Sequence, residues 1–257
     1  MQNNTIFGHY QPYPIIVLNK VTSTNDYLKE LLSNFTPLPQ CTAIMAKMQT
    51  AGRGQRGTSW ATVAGQNLTS SIYLQPANLA LSQQFMLTVI SSLALYDVVS
   101  SYVPKQVFIK WPNDIYIERK KVCGILIENK IAGNTLTSSI IGTGLNVNQT
   151  DFAEDLKEKA TSLRLAGAQQ QIPLLDILQN IQSRLAGYQQ LLEQGKSREL
   201  LALYNEKLFQ KNETRPYQVK NSLCDGKIVG VGHDGLLQML IDGNLFKYDL
   251  KDVVYQL

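Results

Sequence analysis

The chain has 257 residues, of which 44% are hydrophobic, and its 24 lysines and arginines exceed its 20 acidic residues to give a net charge of +4. This length and composition predict a globular protein with one large domain, or a main domain with a small addition. No apolar run approaches the roughly 20 residues of a membrane span, and no signal peptide is visible. The mild charge is not typical of nucleic-acid binding.

The cysteines and histidines argue against disulfides and metal sites. Cys41, Cys123 and Cys224 are odd in number, widely spaced and flanked by apolar residues, which predicts buried thiols in a reducing cytoplasm. His9 and His233 are the only histidines in the sequence. A His-rich metal site or a Ser-His-Asp triad is therefore disfavoured, and no metal ligands are assigned.

Strands and helices are predicted along the first 210 or so residues. Ser23 or Thr24 is a natural N-cap for a first helix, and a mostly buried helix over 82–103 ends before Pro104. Helical segments are also expected at about 151–195 and 197–209. The strands predicted from apolar patterning and turn signals lie at 15–21, 42–49, 67–76, 107–114, 115–129 and 136–148.

The residues after Pro216 change in character. Short apolar stretches at 217–220, 226–232, 236–242 and 244–250 are separated by turns that contain Gly and Asp, the pattern of a small β-barrel. We therefore predict a main α/β domain over 1–212 and a small β domain over 213–257.

The segment 49–60 contains Gly52, Gly54 and Gly57 at the G-x-G-x-x-G spacing of a dinucleotide-binding loop. That motif also needs a helix starting at the loop and an acidic residue about 20 positions later. Here a strand pattern follows, the next acidic residue is Asp97, and no Gly-Lys-Ser/Thr of a Walker loop is present. The glycines must serve another ligand.

No acidic residue occurs from Leu31 to Tyr96, whereas Lys47, Arg53 and Arg56 lie there. One interpretation is a neutral region that happens to lack acids. The interpretation we favour is a site kept electropositive for an anionic ligand, because two of these cations lie in the Gly-rich loop.

Four polar clusters interrupt the apolar strands, at 22–25, 49–57, 110–114 and 120–124. Each alone could be a helix cap, a turn or a hairpin tip. Together with "GTGLNVN" at 142–148 they form an ordered set that resembles the biotin–protein ligase family. The resemblance runs from about Val17 to Val147, and "GRG-x-RG", "KWPND" and "K-V-x-GI" are its specific motifs.

The resemblance implies an α+β fold, with a mixed sheet and packed helices in a class II synthetase-like catalytic domain, and a small C-terminal SH3-like β-barrel. With only 14 residues ahead of the first predicted strand, the chain is similar to the short form without a DNA-binding domain. We therefore expect no specific nucleic-acid partner and no membrane partner.

The resemblance also implies a two-step reaction. Biotin and ATP, the latter with Mg²⁺, give biotinyl-AMP, and the biotinyl group then passes to a lysine of a biotin carboxyl-carrier domain of a carboxylase. A cytoplasmic monomer or homodimer is expected.

The resemblance assigns catalytic roles to Lys121, Arg53 and Asp114. Arg53 and Lys121 would offset the charge that develops where the biotin carboxylate meets the α-phosphate. The residues implied for biotin are Ser23, Thr24, Asn25, Gln49, Gly52, Arg53, Gly54, Gln55, Lys121 and Gly124. Those implied for ATP are Arg53, Arg56, Trp60, Asn113, Lys121 and Asn146.

One departure from the family pattern and three alternatives remain. Gln55 stands where the family loop commonly has an arginine that helps to cover the adenylate. A lipoate–protein ligase shares the fold and the adenylation chemistry, but its Arg-Arg…Gly-Gly-Gly loop and His-Asp pair are not seen. A binding module without catalysis is disfavoured by Lys121 and Asp114, and a biotin-sensing repressor by the short N-terminus.

Overall fold

The computed structural model describes residues 4–6, 13–34, 38–77, 79–168 and 170–256, without the side chains of residues 4–6 and of Arg56. His9 lies outside this description. An eight-stranded sheet with the order β1-β2-β3-β4-β8-β7-β6-β5 organises the first part of the chain. Its strands are β1 (Asn4–Ile6), β2 (Ile15–Val21), β3 (Ala43–Gln49), β4 (Leu68–Leu74), β5 (Val107–Lys110), β6 (Asp114–Ile117), β7 (Lys120–Ala132) and β8 (Thr135–Leu145).

This sheet is mixed. β2 and β3 pair in parallel, and the other neighbours are antiparallel. β1 was not predicted. Each predicted strand overlaps an observed one, but the strand predicted over 115–129 divides into parts of β6 and β7, and β7 continues to Ala132. The α+β class with a mixed sheet is therefore correct.

Helices cover both faces of the sheet. Helix α1 (Thr24–Asn34) buries Leu28 against one face, in a cluster with Leu18, Ile44 and Tyr73. Helices α2 (Phe85–Tyr102), α3 (Leu174–Glu193) and α4 (Ser197–Glu206) belong to the larger core on the other face. Because alternate residues of a strand point to opposite faces, β3 and β4 supply apolar side chains to both cores.

The segment Leu81–Tyr102 is long and apolar enough to cross a membrane by length and composition alone. The expectation that no segment approaches this composition was therefore too strict. In the folded chain 61% of its most apolar window is buried, and its side chains pack in the main core.

The helix expected over 151–195 was wrong in its first half, because residues 151–168 and 170–173 form turns and irregular structure before α3 begins. Two long-range hydrogen bonds explain this difference. The Lys121 N–H donates to the Lys159 carbonyl at 2.8 Å, and the Thr161 N–H donates to the Lys121 carbonyl at 2.9 Å. These bonds hold the segment against the start of β7, so tertiary pairing overrides its local helical pattern.

The C-terminal part forms a five-stranded sheet with the order β12-β11-β10-β9-β13. Its strands are β9 (Thr214–Val219), β10 (Ser222–Val231), β11 (Leu237–Ile241), β12 (Asn244–Tyr248) and β13 (Val253–Tyr255). The four predicted strands are confirmed, and β13 was not predicted. Asn205 of α4 bonds to both the N–H and the carbonyl of Val231, at 2.7 and 3.0 Å, which joins this sheet to the helices.

The three cysteines are free thiols, and Cys41 and Cys123 are buried as predicted, whereas Cys224 is half-buried. Burial raises the pKa of Cys41 to about 12, so this thiol stays protonated and unreactive. Among the described residues no three His, Cys, Asp or Glu side chains are grouped as in a metal site.

Candidate active site

The start of α1 meets the ends of β3 and β4 in a buried polar pocket. The Ser23 hydroxyl accepts a hydrogen bond from the Asp26 N–H at 3.3 Å, as an N-terminal cap does. The Thr24 N–H and hydroxyl both donate to Gln49 Oε1, at 2.9 and 3.2 Å. Ser23, Thr24 and Asn25 are each less than 5% exposed. The predicted residues therefore present short polar groups in a pocket that water hardly reaches.

Ser71 of β4 completes this pocket and was missed by the sequence reasoning. Its hydroxyl oxygen lies 2.7 Å from Thr24 Oγ1 and 2.5 Å from Asn25 Oδ1. A hydroxyl has one proton, so it donates to one of these neighbours at a time. The run "TSS" in a buried strand was the available signal, but only the packed helix reveals which serine faces the pocket.

The Gly-rich loop folds back on itself beside this pocket. The Trp60 N–H donates to the Gly52 carbonyl at 2.9 Å, and the Gly54 N–H donates to the Thr58 carbonyl at 2.6 Å. A Cβ at position 52 would collide with the Trp60 carbonyl and the Gln49 amide. Gly52 is therefore required by close approach of the backbone. Gln55 begins a short 3₁₀ turn over Gln55–Gly57.

Arg53 makes ion pairs with two carboxylates outside the loop. Its guanidinium lies 2.5 Å from Asp26 of α1 and 3.6 Å from Glu128 of β7. Both neighbours were missed, because neither belongs to a polar motif in the sequence. The charge of Arg53 is thus offset by acidic residues from elsewhere in the chain.

Glu128 links Arg53 to the buried pocket. Its carboxylate accepts hydrogen bonds from Asn25 Nδ2 at 2.7 Å and from Lys29 Nζ at 2.9 Å. Burial acts to raise the pKa of Glu128, but these two hydrogen bonds and the charges of Lys29 and Arg53 outweigh it, so the pKa is lowered overall. The carboxylate is therefore ionised and fixes Asn25.

Lys121 and Asp114 form an ion pair at 2.7 Å, with about a third of each side chain exposed. An irregularity in the β6–β7 register places Tyr116 opposite Lys121 but Ile115 opposite Cys123. Such a bulge re-aims side chains. Here Val122 and Cys123 are both fully buried, whereas Lys121 remains accessible beside Asp114.

The Trp60 ring packs directly on the backbone of Gly124 and Gly144, a surface called here the glycine floor. A Cβ at Gly144 would overlap the indole ring, and one at Gly124 would lie 3.3 Å from both the ring and Lys121 Nζ. Lys121 Nζ is 5.8 Å from the ring centroid, within cation–π range. The indole Nε1 is buried and has no partner among the described residues. A flat aromatic side chain therefore lies next to the Lys121–Asp114 pair.

Asn113 and Asn146 are buried close to these groups, but their amide nitrogens are already bonded. Asn113 Nδ2 donates to the Ile125 carbonyl at 2.6 Å, and Asn146 Nδ2 donates to the Thr161 carbonyl at 3.0 Å. The side-chain position of Arg56 lies outside the described residues. The structure thus gathers all the other predicted site residues along one connected region, which runs from Thr24 to Lys121.

The model of the biotin/lipoate A/B protein ligase family matches residues 17–146, so the chain belongs to this family. Two relatives illustrate the similarity. A bifunctional ligase/repressor of Bacillus subtilis is 36% identical over 169 residues, 65% of this chain and 51% of that protein. A biotin–[acetyl-CoA-carboxylase] ligase of Paracoccus denitrificans is 34% identical over 120 residues, 46% of this chain and 49% of that protein. The chain spans about half the length of these relatives.

A solved structure extends the similarity to nearly the whole chain. The biotin protein ligase of Aquifex aeolicus, determined in complex with biotin and ATP, superposes with a TM-score of 0.76 and 26% identity. The alignment covers 93% of this chain and 97% of that one, so it extends into the C-terminal sheet.

Proposed function

We propose that the chain is a biotin–protein ligase, which forms biotinyl-AMP from biotin and ATP and transfers the biotinyl group to a carrier lysine. The observation that carries the proposal is that two chemically different groups of side chains lie next to each other. A buried pocket of short donors and acceptors lies beside the accessible Lys121–Asp114 pair and the Trp60 ring. The similarity to ligases that act on acetyl-CoA carboxylase supports a carboxylase carrier domain as the partner.

The buried pocket suits the ureido ring of biotin. This ring offers two N–H donors and one carbonyl acceptor, and Thr24, Gln49 and Asn25 supply matching groups. Because the pocket is shielded from water, a ligand that left one of these groups unpaired would be rejected. The carboxylate end of biotin would then extend past Gly52 and Gly54 toward Arg53 and Lys121.

Adenylation requires an oxygen of that carboxylate to bond to the α-phosphorus of ATP as pyrophosphate departs. Two anions meet in this step, and Lys121 would stabilise the charge that accumulates on the phosphoryl oxygens. Arg53 can contact the same anion only after its ion pair with Asp26 breaks. If that ion pair persists, Arg53 instead anchors the loop to α1.

The nucleotide would lie against the Trp60 ring, which itself covers Gly144 and Gly124. Trp60 offers its outer aromatic face to adenine, while Asn113, Asn146 and Arg56 remain candidates at the edges. Mg²⁺ would arrive with the phosphates, which is usual for ATP enzymes and needs no protein cage. The ion would offset phosphate charge.

Asp114 would serve the second step. An acceptor lysine, with a reference pKa of about 10.4, is mostly protonated at neutral pH. A carboxylate beside the adenylate can accept its proton or orient it. The amine nitrogen then bonds to the biotinyl carbonyl carbon as AMP departs.

The finer architecture belongs to the same proposal. We infer a class II synthetase-like catalytic domain over 1–212 and an SH3-like barrel over 213–257. The boundary is placed there because the five-stranded sheet begins at Thr214. A cytoplasmic monomer or homodimer fits the free thiols.

Mass spectrometry tests the substrate. Incubation with biotin, ATP and Mg²⁺ should produce biotinyl-AMP, and parallel incubations with lipoate or octanoate should yield no adenylate. Because the family also includes lipoate ligases, an adenylate from lipoate alone would assign the chain to that branch. No adenylate from any of these acids would leave a binding function.

Replacing Gln55 with arginine should slow the escape of biotinyl-AMP. Arginine would add one charge-assisted contact in place of a neutral one, a net gain of roughly 0.7 to 2 kcal/mol, or about 3- to 30-fold in dissociation rate. Adenylate dissociation should be compared among the wild type, Gln55→Arg and Arg56→Ala. If only Arg56→Ala changes the rate, Arg56 already supplies this charge and the interpretation of Gln55 is wrong.

Replacing Gly144 with alanine should weaken the binding of ATP. The new methyl group would overlap the Trp60 ring, and overpacking of this kind costs about 1 to 3 kcal/mol. We expect the KM for ATP to rise about 5-fold or more at saturating biotin. Gly187→Ala is the control, because open space surrounds Gly187 in α3. An unchanged KM for Gly144→Ala would separate Trp60 from nucleotide binding.

A further inference from the structure

Two contacts from the C-terminal sheet hold the turn between β5 and β6, which begins after Lys110 and ends before Asp114. The Trp111 indole N–H donates to the Gly235 carbonyl, between β10 and β11, at 3.0 Å. Lys110 Nζ lies 4.7 Å from the ring centroid of Tyr255 in β13. Because Lys110 and Asp114 are cross-strand partners, these contacts lie close to Asp114, the proposed catalytic carboxylate at the start of β6.

The ammonium group of Lys110 is enclosed by tyrosines. Its Nζ lies 5.1 Å from the Tyr116 ring centroid and donates to the Tyr116 hydroxyl at 3.2 Å. Burial lowers the pKa of Lys110, with Asp114 acting to raise it and Lys121 to lower it. A cation within about 6 Å of a ring face is attracted more strongly when water is excluded. The two rings therefore hold Lys110 in place.

The ring of Tyr255 is itself fixed by aromatic neighbours. It packs edge-on against Tyr217, with ring centroids 5.4 Å apart. Its ring is tilted against that of Phe209, with centroids 6.3 Å apart. Burial, with Tyr217, Tyr116 and Asp114 as smaller causes, raises the pKa of Tyr255 well above its usual range. Its phenol is therefore neutral, and its ring face is the part that contacts Lys110.

The position of Lys110 affects which of two lysines, Lys110 or Lys121, pairs with Asp114. Asp114 has one ammonium group at 2.7 Å, that of Lys121, and a second, that of Lys110, on the partner strand. If Lys110 were free to move, it would compete with Lys121 for the same carboxylate. Holding Lys110 against two rings leaves Asp114 paired with Lys121.

We propose that Tyr255 of the C-terminal sheet is a positioning residue for the reaction, which acts by holding Lys110 and so preserving the Asp114–Lys121 pair. The inference rests on the proposed function for its effect on rate. It makes the C-terminal sheet part of the catalytic apparatus, although Tyr255 itself does not touch the reacting groups.

Two substitutions at one position separate the ring from its hydroxyl. Tyr255→Leu removes the aromatic face and should slow single-turnover formation of biotinyl-AMP about 5- to 30-fold, with the Kd for biotin unchanged. Tyr255→Phe keeps the face and should restore most of the rate. Tyr248→Leu, in β12 of the same sheet, controls for loss of sheet stability. Equal damage from the Phe and Leu variants would overturn the proposal.

A double-mutant cycle tests whether Tyr255 acts through Lys110. In a Lys110→Met background, Tyr255→Leu should cause no further loss, because the ammonium that it holds is gone. If Tyr255→Leu slows the reaction as much in the Lys110→Met background as in the wild type, Tyr255 acts by another route and the proposal fails. A purely structural role would also lower the melting temperature of Tyr255→Leu in both backgrounds.

Lysine labelling tests the contact without any assay of activity. Brief acetylation followed by peptide mass spectrometry should show Lys110 reacting several-fold faster in Tyr255→Leu than in the wild type or Tyr255→Phe. Unchanged labelling would overturn the proposal whatever the substrate. Faster labelling with no biotinyl-AMP from the wild type would support the contact and refute the proposed function instead.

Discussion

Lys121→Ala should reduce the rate of biotinyl-AMP formation by about two to three orders of magnitude, the loss seen when one charge-stabilising donor is removed. The ammonium group lies between Asp114 and the Trp60 ring, at 2.7 Å from the carboxylate and 5.8 Å from the ring centroid. It is therefore placed to reach the phosphoryl oxygens of a nucleotide that stacks on that ring. The rate is measured in a single turnover with saturating biotin and ATP.

Stability and catalysis can be separated in this experiment. About a third of each side chain of the Lys121–Asp114 pair is exposed, so breaking the pair should cost no more than about 1 kcal/mol of folding stability. Lys120→Ala is the matched control, because Lys120 is adjacent but pairs with Glu158 at 3.5 Å. Full activity in Lys121→Ala would make Lys121 an ordinary surface lysine.

Asp114→Asn should slow transfer from preformed biotinyl-AMP to the carrier by about two orders of magnitude or more, the usual contribution of a positioned base. Asparagine keeps the size of the side chain but cannot accept the proton from the acceptor lysine. The deficit should narrow as the pH rises from about 7 to about 9, because a lysine with a pKa of about 10.4 then loses its proton to solvent more often.

Glu118→Gln is the control for Asp114→Asn. Glu118 lies on the next turn and pairs with Lys105 at 2.9 Å, so its carboxylate is remote from the proposed chemistry. Equal transfer rates for Asp114→Asn and the wild type would remove Asp114 from the second step.

Local signals were enough for much of the fold. Alternating apolar residues predicted the strands that pair as β2, β3, β4 and β8, and the cap before α1 was narrowed to Ser23 or Thr24. The segment 151–173 shows where such signals fail. The backbone of Lys159 and Thr161 in this segment bonds to the backbone of Lys121 in the folded chain, and no local pattern reports a contact of that kind.

In the candidate site, too, local sequence signals identified some residues, whereas contacts between distant parts of the chain were missed. Motif residues such as Thr24, Gln49 and Lys121 were found because each lies in a polar cluster. Ser71, Glu128 and Tyr255 were missed because their neighbours come from distant parts of the chain. Asp26 illustrates the difficulty, since it resembles an ordinary first-turn acid of a helix until Arg53 packs against it.

Biotin-dependent exchange of labelled pyrophosphate into ATP is the decisive test of the proposed ligase activity, because it reports adenylation at this site without a carrier protein. We expect exchange that requires biotin, is retained in Lys120→Ala and is lost in Lys121→Ala. Exchange that proceeds without biotin, or that survives in Lys121→Ala, would contradict it.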